Sequence, residues 1–254
     1  MHNPKGALGI RLDYTVARAW PVEWDPEGKS QARNWLLSSH LVFNNPVDSI
    51  TDQQLWKIAA DAFNEMQPEM KQYDIGVRKV PSVMTVLAFG NKTILSSSIR
   101  GQAAFTYALE KTPVYKTMKL CTAIWADQHP DDDEHADKEH RNKGSCGEPM
   151  VAHQYYHVHD KPLKELEPPA RVDTVSRSAN GPIPKPPCGP DEYDTWGCTL
   201  FIQQEGLKEL DLNLKPADYN LQTIAGGVKE KRQITLCSLK PKGEVGGGGS
   251  SEKN

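Results

Sequence analysis

Nowhere in this 254-residue chain does an apolar run reach the length of a membrane-spanning helix, so an integral helical membrane protein is not expected. Its five cysteines are too few for a disulfide scaffold at this size. An excess of positive charge is missing as well. The 30 Lys and Arg stand against 33 Asp and Glu, for a formal net charge of -3 and a sequence pI of 6.2. Proteins that coat duplex nucleic acid usually carry a strongly basic domain, so that class is disfavoured, whereas an enzyme engaging a short single strand is not. No Walker-type phosphate loop, dinucleotide fingerprint or nucleophile elbow is found. The acidic run Asp131-Asp132-Asp133-Glu134 lacks the ligand spacing and turn glycine of a calcium loop, and reads as a solvated loop face. Met1 to Asp13 has no apolar stretch behind its basic residues, so no secretory signal is expected.

What is present suits a globular chain with a modest core and sizeable loops: 37% hydrophobic residues and a mean hydropathy of -0.62. Residues 1–48 read as an N-terminal extension packed on the main domain, with aromatic anchors Tyr14, Trp20, Trp24 and Trp35 and an apolar run from Trp35 to Phe43. Residues 49–245 read as the main domain. Residues 246–254 open with four consecutive glycines and read as a flexible tail.

Thr51 and Gln54 have capping-box spacing. Leu55, Ile58, Ala59, Ala62, Phe63 and Met66 then recur at helical spacing, and Pro68 is expected to kink or end the helix near Gln67. Val83–Ala88 and Thr93–Leu95, joined by Gly90-Asn91, read as a hairpin. Further on, Gln102–Glu110 reads as helix, and Leu120–Trp125 as a strand or part of an inserted segment. Pro149 opens a helix running to about His159. Arg171–Ser176 reads as a strand, Ser178–Pro190 as a loop and Trp196–Gln204 as a helix, with strands at Leu221–Ile224 and Ile234–Leu239. The order predicts an α/β chain: a mixed sheet with helices packed on its faces.

The chemistry concentrates at Cys146-Gly147-Glu148-Pro149, Pro187-Cys188 and Cys198. Three thiolates can hold zinc and leave a fourth position to water, while a carboxylate two residues past the first thiol shuttles protons. Cys146 stands before one expected helix and Cys198 in the first turn of another, so both feel positive helix ends that lower thiol pKa. Cys121 and Cys237, in apolar surroundings, read as packed thiols. That split suits a reducing compartment, cytoplasmic or nuclear. A disulfide or two unrelated thiols is the other reading of Cys188 and Cys198. Nine residues separate them, so the segment between must loop out and return, and His157 or His159 could replace Cys198 as third ligand. His153 and His157 lie four apart on one helix, but Gln154 stands where a hydrolytic zinc motif needs Glu, so solvated or core histidines are expected. Lys138, Arg141 and Lys143 read as a soluble loop face, with contact to a phosphate backbone as the alternative. Tyr193 and Trp196, in and beside the widened gap, are candidates to stack on bases.

In Cys146, Glu148, Pro187, Cys188 and Cys198 the chain resembles the cytidine-deaminase-like superfamily, whose pattern is His or Cys, any residue, Glu, then Pro-Cys and a further Cys. The Cys-Gly-Glu-Pro form and the segment Ser96 to Gly101 resemble most its toxin-related and fungal branch. As element order the likeness spans Thr51 to Leu239; in specific motif it rests on those five residues. It implies a three-layer α-β-α fold with a mixed sheet of about five strands and helices on both faces, residues 49–245 forming a deaminase-like domain. It also implies Zn2+ as cofactor, Glu148 as the catalytic acid–base, and Ser97, Ser98 and Arg100 as pocket residues. The implied reaction is conversion of cytosine to uracil, in single-stranded nucleic acid with DNA ahead of RNA, because unstacking a target base is cheapest there. A deaminase of free nucleosides or bases is the first alternative, which the serines at the hairpin end disfavour. A zinc-stabilised binding module without turnover is the second.

Overall fold

Helix α2 (Asp52–Lys71) starts at the capping box the sequence predicts: the Gln54 N–H donates to the Thr51 hydroxyl and the Thr51 N–H to the Gln54 side chain. Substituting such a cap typically costs about 1 kcal/mol. The predicted stripe is its buried face. The helix runs past Pro68 instead of ending near Gln67. Asn64, Gln67 and Pro68 are exposed, so the carbonyl that proline leaves unbonded faces solvent, while buried Met70 holds the last turn down.

The computed structural model describes residues 2–19, 34–101, 105–130, 138–189 and 195–236. Beside α2 these form helices α1 (Tyr14–Ala19), α3 (Pro113–Gln128), α4 (Gly147–Val158) and α5 (Cys198–Gln204). The strands are β1 (Arg11–Leu12), β2 (Leu37–Phe43), β3 (Val83–Phe89), β4 (Lys92–Ser97), β5 (Arg171–Ser178), β6 (Gly181–Pro184), β7 (Lys208–Glu209) and β8 (Val228–Arg232). They make one mixed sheet in the order β1-β2-β4-β3-β5-β6, with β8 added beside β2 and β7 beside β5. Only β5 and β7 pair in parallel.

The α/β class is as expected, but the described residues contain eight strands, not about five. The apolar run in the N-terminal lead-in is β2, hydrogen-bonded to both β4 and β8. Strand β8 reads Val-Lys-Glu-Lys-Arg and shows no apolar alternation, because it borders the sheet where charge also blunts edge pairing. Strand β6 occupies part of the expected Ser178–Pro190 loop; Pro182 and Pro184 are tolerated because it is an edge strand.

Every residue of β3 is buried, since both faces of the sheet are covered. Met84, Val86 and Ala88 pack with the α2 stripe, whereas Leu87 and Phe89 pack with side chains of α3, α4 and α5. Leu120–Trp125, read as a strand or part of an insertion, lies inside α3. Thr112 caps that helix by accepting from the Tyr115 N–H, Pro113 opens it, and Val114, Met118, Cys121 and Trp125 form its buried stripe. Gln102–Glu110 is not helical where described: residues 105–108 form turns. Leu221–Ile224 is a turn leading into a short 3-10 segment, and residues 234–236 of the last expected strand are not extended into the sheet. Cys237 and residues 237–254 lie outside the described residues. Among those described, no helix is long and apolar enough to cross a membrane.

Candidate metal centre

Cys146 is the N-cap of α4, and Glu148 sits in that helix's first turn. Gly147 between them is required by space. A Cβ there would lie 2.0 Å from the Thr85 hydroxyl, so only glycine lets the start of α4 rest on β3. Cys198 opens α5, and Cys188 follows β6. The widened gap does return: the Thr199 N–H donates to the Cys188 carbonyl at 3.1 Å. Gly197 permits that closure, since its Cβ would stand 2.2 Å from the Cys188 carbonyl oxygen.

A histidine that sequence reasoning missed joins these thiols. His140, Cys146, Cys188 and Cys198 each offer a ligand atom, and all four atoms lie within 4.8 Å of one another. Neither His157 nor His159 belongs to the cluster. His159 stacks on Tyr155, and His153 is a core residue beside Phe105 and Thr106, held neutral by burial that lowers its pKa to about 3. His140 is brought in by the residues around it: its N–H donates to the Tyr107 hydroxyl, and Trp196 clasps its flanks. The indole N–H donates to the Lys138 carbonyl and the Arg141 N–H to the Trp196 carbonyl. No spacing motif marks His140, since it approaches Cys198 across 58 residues of sequence.

The Cys146 and Cys188 sulfurs are 3.7 Å apart, and His140 Nε2 is 3.3 Å from Cys198 Sγ and 3.7 Å from Cys188 Sγ. Two thiolates on one tetrahedral zinc, with bonds of about 2.3 Å, stand about 3.8 Å apart, so these donors suit that ion. Each sulfur also meets at least one N–H. Asn142 Nδ2 is 3.3 Å from Cys146 Sγ, the Cys198 backbone N–H is 3.3 Å from Cys188 Sγ, and His140 Nε2 faces Cys198 Sγ. The opposite edge of the His140 ring accepts from the Asn142 N–H at 3.0 Å and the Gly144 N–H at 3.2 Å, both on Nδ1. Hydrogen bonds from Cys146, Cys198 and His140 hold the Cys188 thiol well below its usual pKa. The hydrogen bond it makes to Cys188 raises Cys146, and burial raises Cys198.

No family model, curated protein or solved structure matches this chain.

Glu148, 4% exposed, stands two residues past Cys146, and the Thr174 hydroxyl donates to its Oε1 at 2.9 Å. Burial raises its pKa, and the charge of Cys188 adds to the rise. A carboxyl so placed holds a proton more readily than an exposed glutamate does. A cleft of 890 Å³ opens over Cys146 and Cys188. Among the described residues its wall includes Ser98, Arg100, Arg141, Asn142 and Lys185, and no carboxylate. Ser98 and Arg100 thus line this cleft.

Ser97 and Trp196 do not. The Ser97 hydroxyl is buried, accepting from the Leu37 N–H and donating to the Ser98 carbonyl, so it joins strands. Trp196 is fully buried and edge-on to His140, which leaves no ring face for a base. Tyr193 lies outside the described residues.

Proposed function

We propose that this chain is a zinc-dependent hydrolytic deaminase that converts cytosine to uracil in single-stranded nucleic acid, DNA ahead of RNA. The observation that carries the proposal is the buried Glu148 carboxyl two residues past Cys146 of a three-thiol cluster, of which Cys146 and Cys188 line an open cleft. Cys146, Cys188 and Cys198 would hold zinc, which when bound would supply an acidified water for attack on an amidine carbon. Glu148 would take that water's two protons in turn, passing one to the ring nitrogen as the oxygen bonds to C4 and the other to the amino group, which would depart as ammonia when its bond to C4 breaks. Thr174, itself hydrogen-bonded to Thr85, fixes the carboxyl's orientation.

The deaminase-like three-layer architecture is supported by order and placement. A hairpin is flanked by an antiparallel β5, and β7 follows α5 to lie parallel to β5, while helices cover both faces. Arg100, Arg141 and Lys185 around the cleft favour a phosphate-bearing substrate over a free base or nucleoside. The free thiols at the site suit a reducing compartment, cytoplasmic or nuclear. A closed zinc site without turnover is the second reading, favoured by the tetrahedral spacing of four donors.

The test is sequencing of single- and double-stranded DNA and RNA, and chromatography of cytidine, after incubation with zinc-loaded protein. C-to-U change in single strands is expected. Glu148→Gln is expected to keep zinc and melting temperature while conversion falls by about 10²–10⁴-fold. Absence of conversion in every substrate, or an undiminished Glu148→Gln variant, refutes the proposal.

A further inference from the structure

We infer that His140 is a hydrogen-bond donor to Cys198 and not a metal ligand, so that the protein supplies three zinc ligands rather than four. This rests on the reading of Cys146, Cys188 and Cys198 as ligands, and deepens it. Distance alone does not separate the two roles, because an N–H···S hydrogen bond and a pair of ligands on one ion put nitrogen and sulfur at similar separations. The other edge of the ring separates them.

Nδ1 of His140 receives two backbone N–H groups, from Asn142 and Gly144. Backbone amides only donate, so Nδ1 presents a lone pair and carries no proton. A neutral imidazole then has its proton on Nε2, the atom facing Cys198. Ligation through Nε2 requires a lone pair there as well, which leaves the ring with no proton at all. Metal-bound histidines almost always do the reverse and donate the distal N–H to a carboxylate, carbonyl or water. Turning the ring over offers no escape. It would present C–H to two amide donors and leave them without an acceptor beside a side chain that is 1% exposed.

The role fits the charge of the cluster. Three thiolates overcompensate a divalent ion, and the helix starts at Cys146 and Cys198 offset only part of that. Three N–H donors draw further negative charge off the thiolates: Asn142 Nδ2 on Cys146, the Cys198 amide on Cys188, and His140 Nε2 on Cys198 and, more distantly, on Cys188. His140 is thus a positioning residue. It holds Cys198 in place and moderates its donor strength without touching the reacting atoms.

X-ray absorption at the zinc edge of the full chain tests this, with zinc affinity by chelator competition as a second readout. The expected wild-type spectrum has three sulfur scatterers and one light atom, without the outer-shell scattering of imidazole. His140→Gln keeps an N–H near the Nε2 position, and is expected to leave spectrum and affinity close to wild type. His140→Leu removes the donor and is expected to weaken zinc binding by about 10–100-fold. Imidazole scattering in the wild type that disappears in His140→Gln overturns the inference and makes the site a closed one. Should His140→Leu fail to fold, the wild-type and Gln spectra still decide. A three-sulfur spectrum without C-to-U conversion sinks the deaminase reading alone; failure to bind zinc sinks both.

Discussion

Asp173 on β5 offers the sharpest test of the electrostatics beside the site. Its carboxyl is 4% exposed, its Oδ2 has no hydrogen-bond partner, and it borders a small cavity shared with Glu148, Thr174, Lys185 and Glu209. Burial, reinforced by Glu209 and Glu148, raises its pKa from 3.8 to about 7. The folded chain therefore holds a proton that the unfolded chain has released between those two values, and stability falls as pH rises through that window. A rise of that size corresponds to roughly 4 kcal/mol of lost stability at alkaline pH, of which less than half is already lost by about pH 5. Asp173→Asn removes the charge while keeping the shape. Its stability relative to wild type should improve by roughly 2–3 kcal/mol between about pH 5 and about pH 8. Urea denaturation of both proteins at each pH, at one fixed zinc concentration, measures this. The comparison cancels the pH dependence of metal binding and any constant cost of the buried amide. A pH-independent difference between the two proteins would refute the reasoning and show that folding does not raise the Asp173 pKa into this range.

Cys188→Ser is expected to lose stoichiometric zinc and to melt at a lower temperature, because metal binding free energy is part of folding free energy at a site assembled only in the native state. Unchanged zinc content by elemental analysis would contradict it. Arg171 ties β5 to the start of α2 by donating to the Val47 and Ile50 carbonyls and to Asp52. Arg171→Met keeps the apolar stem but strands buried acceptors, for an expected loss of about 2–4 kcal/mol in chemical denaturation; a loss below about 1 kcal/mol would mean water replaces the guanidinium at little cost.

Elements whose signals are local were legible. The Thr51 cap, the α2 stripe, the hairpin turn and Pro149 in the first turn of α4 depend on residues within a few positions of one another, so each appears as a spacing. Elements whose partners lie far along the chain were not. Strand β8 is charged because it lies at an edge, and β7 is two residues long. The α3 stripe was obscured because its apolar residues 120–125 are also a plausible short strand, and only Thr112-Pro113 marked the helix start.

The sequence by itself determined which groups could do chemistry: three thiols and a carboxyl, with Cys146 and Glu148 two apart at a helix start. The tertiary structure alone decided which of them meet, and it added His140. That histidine reaches Cys198 because buried Trp196 braces its loop, so the indole that composition offered to a substrate became part of the scaffold. The physical reason is the range of the interactions. Caps and periodic stripes act over one or two helical turns and are written in spacing, whereas a contact between residues 140 and 198 exists only once a core has folded between them.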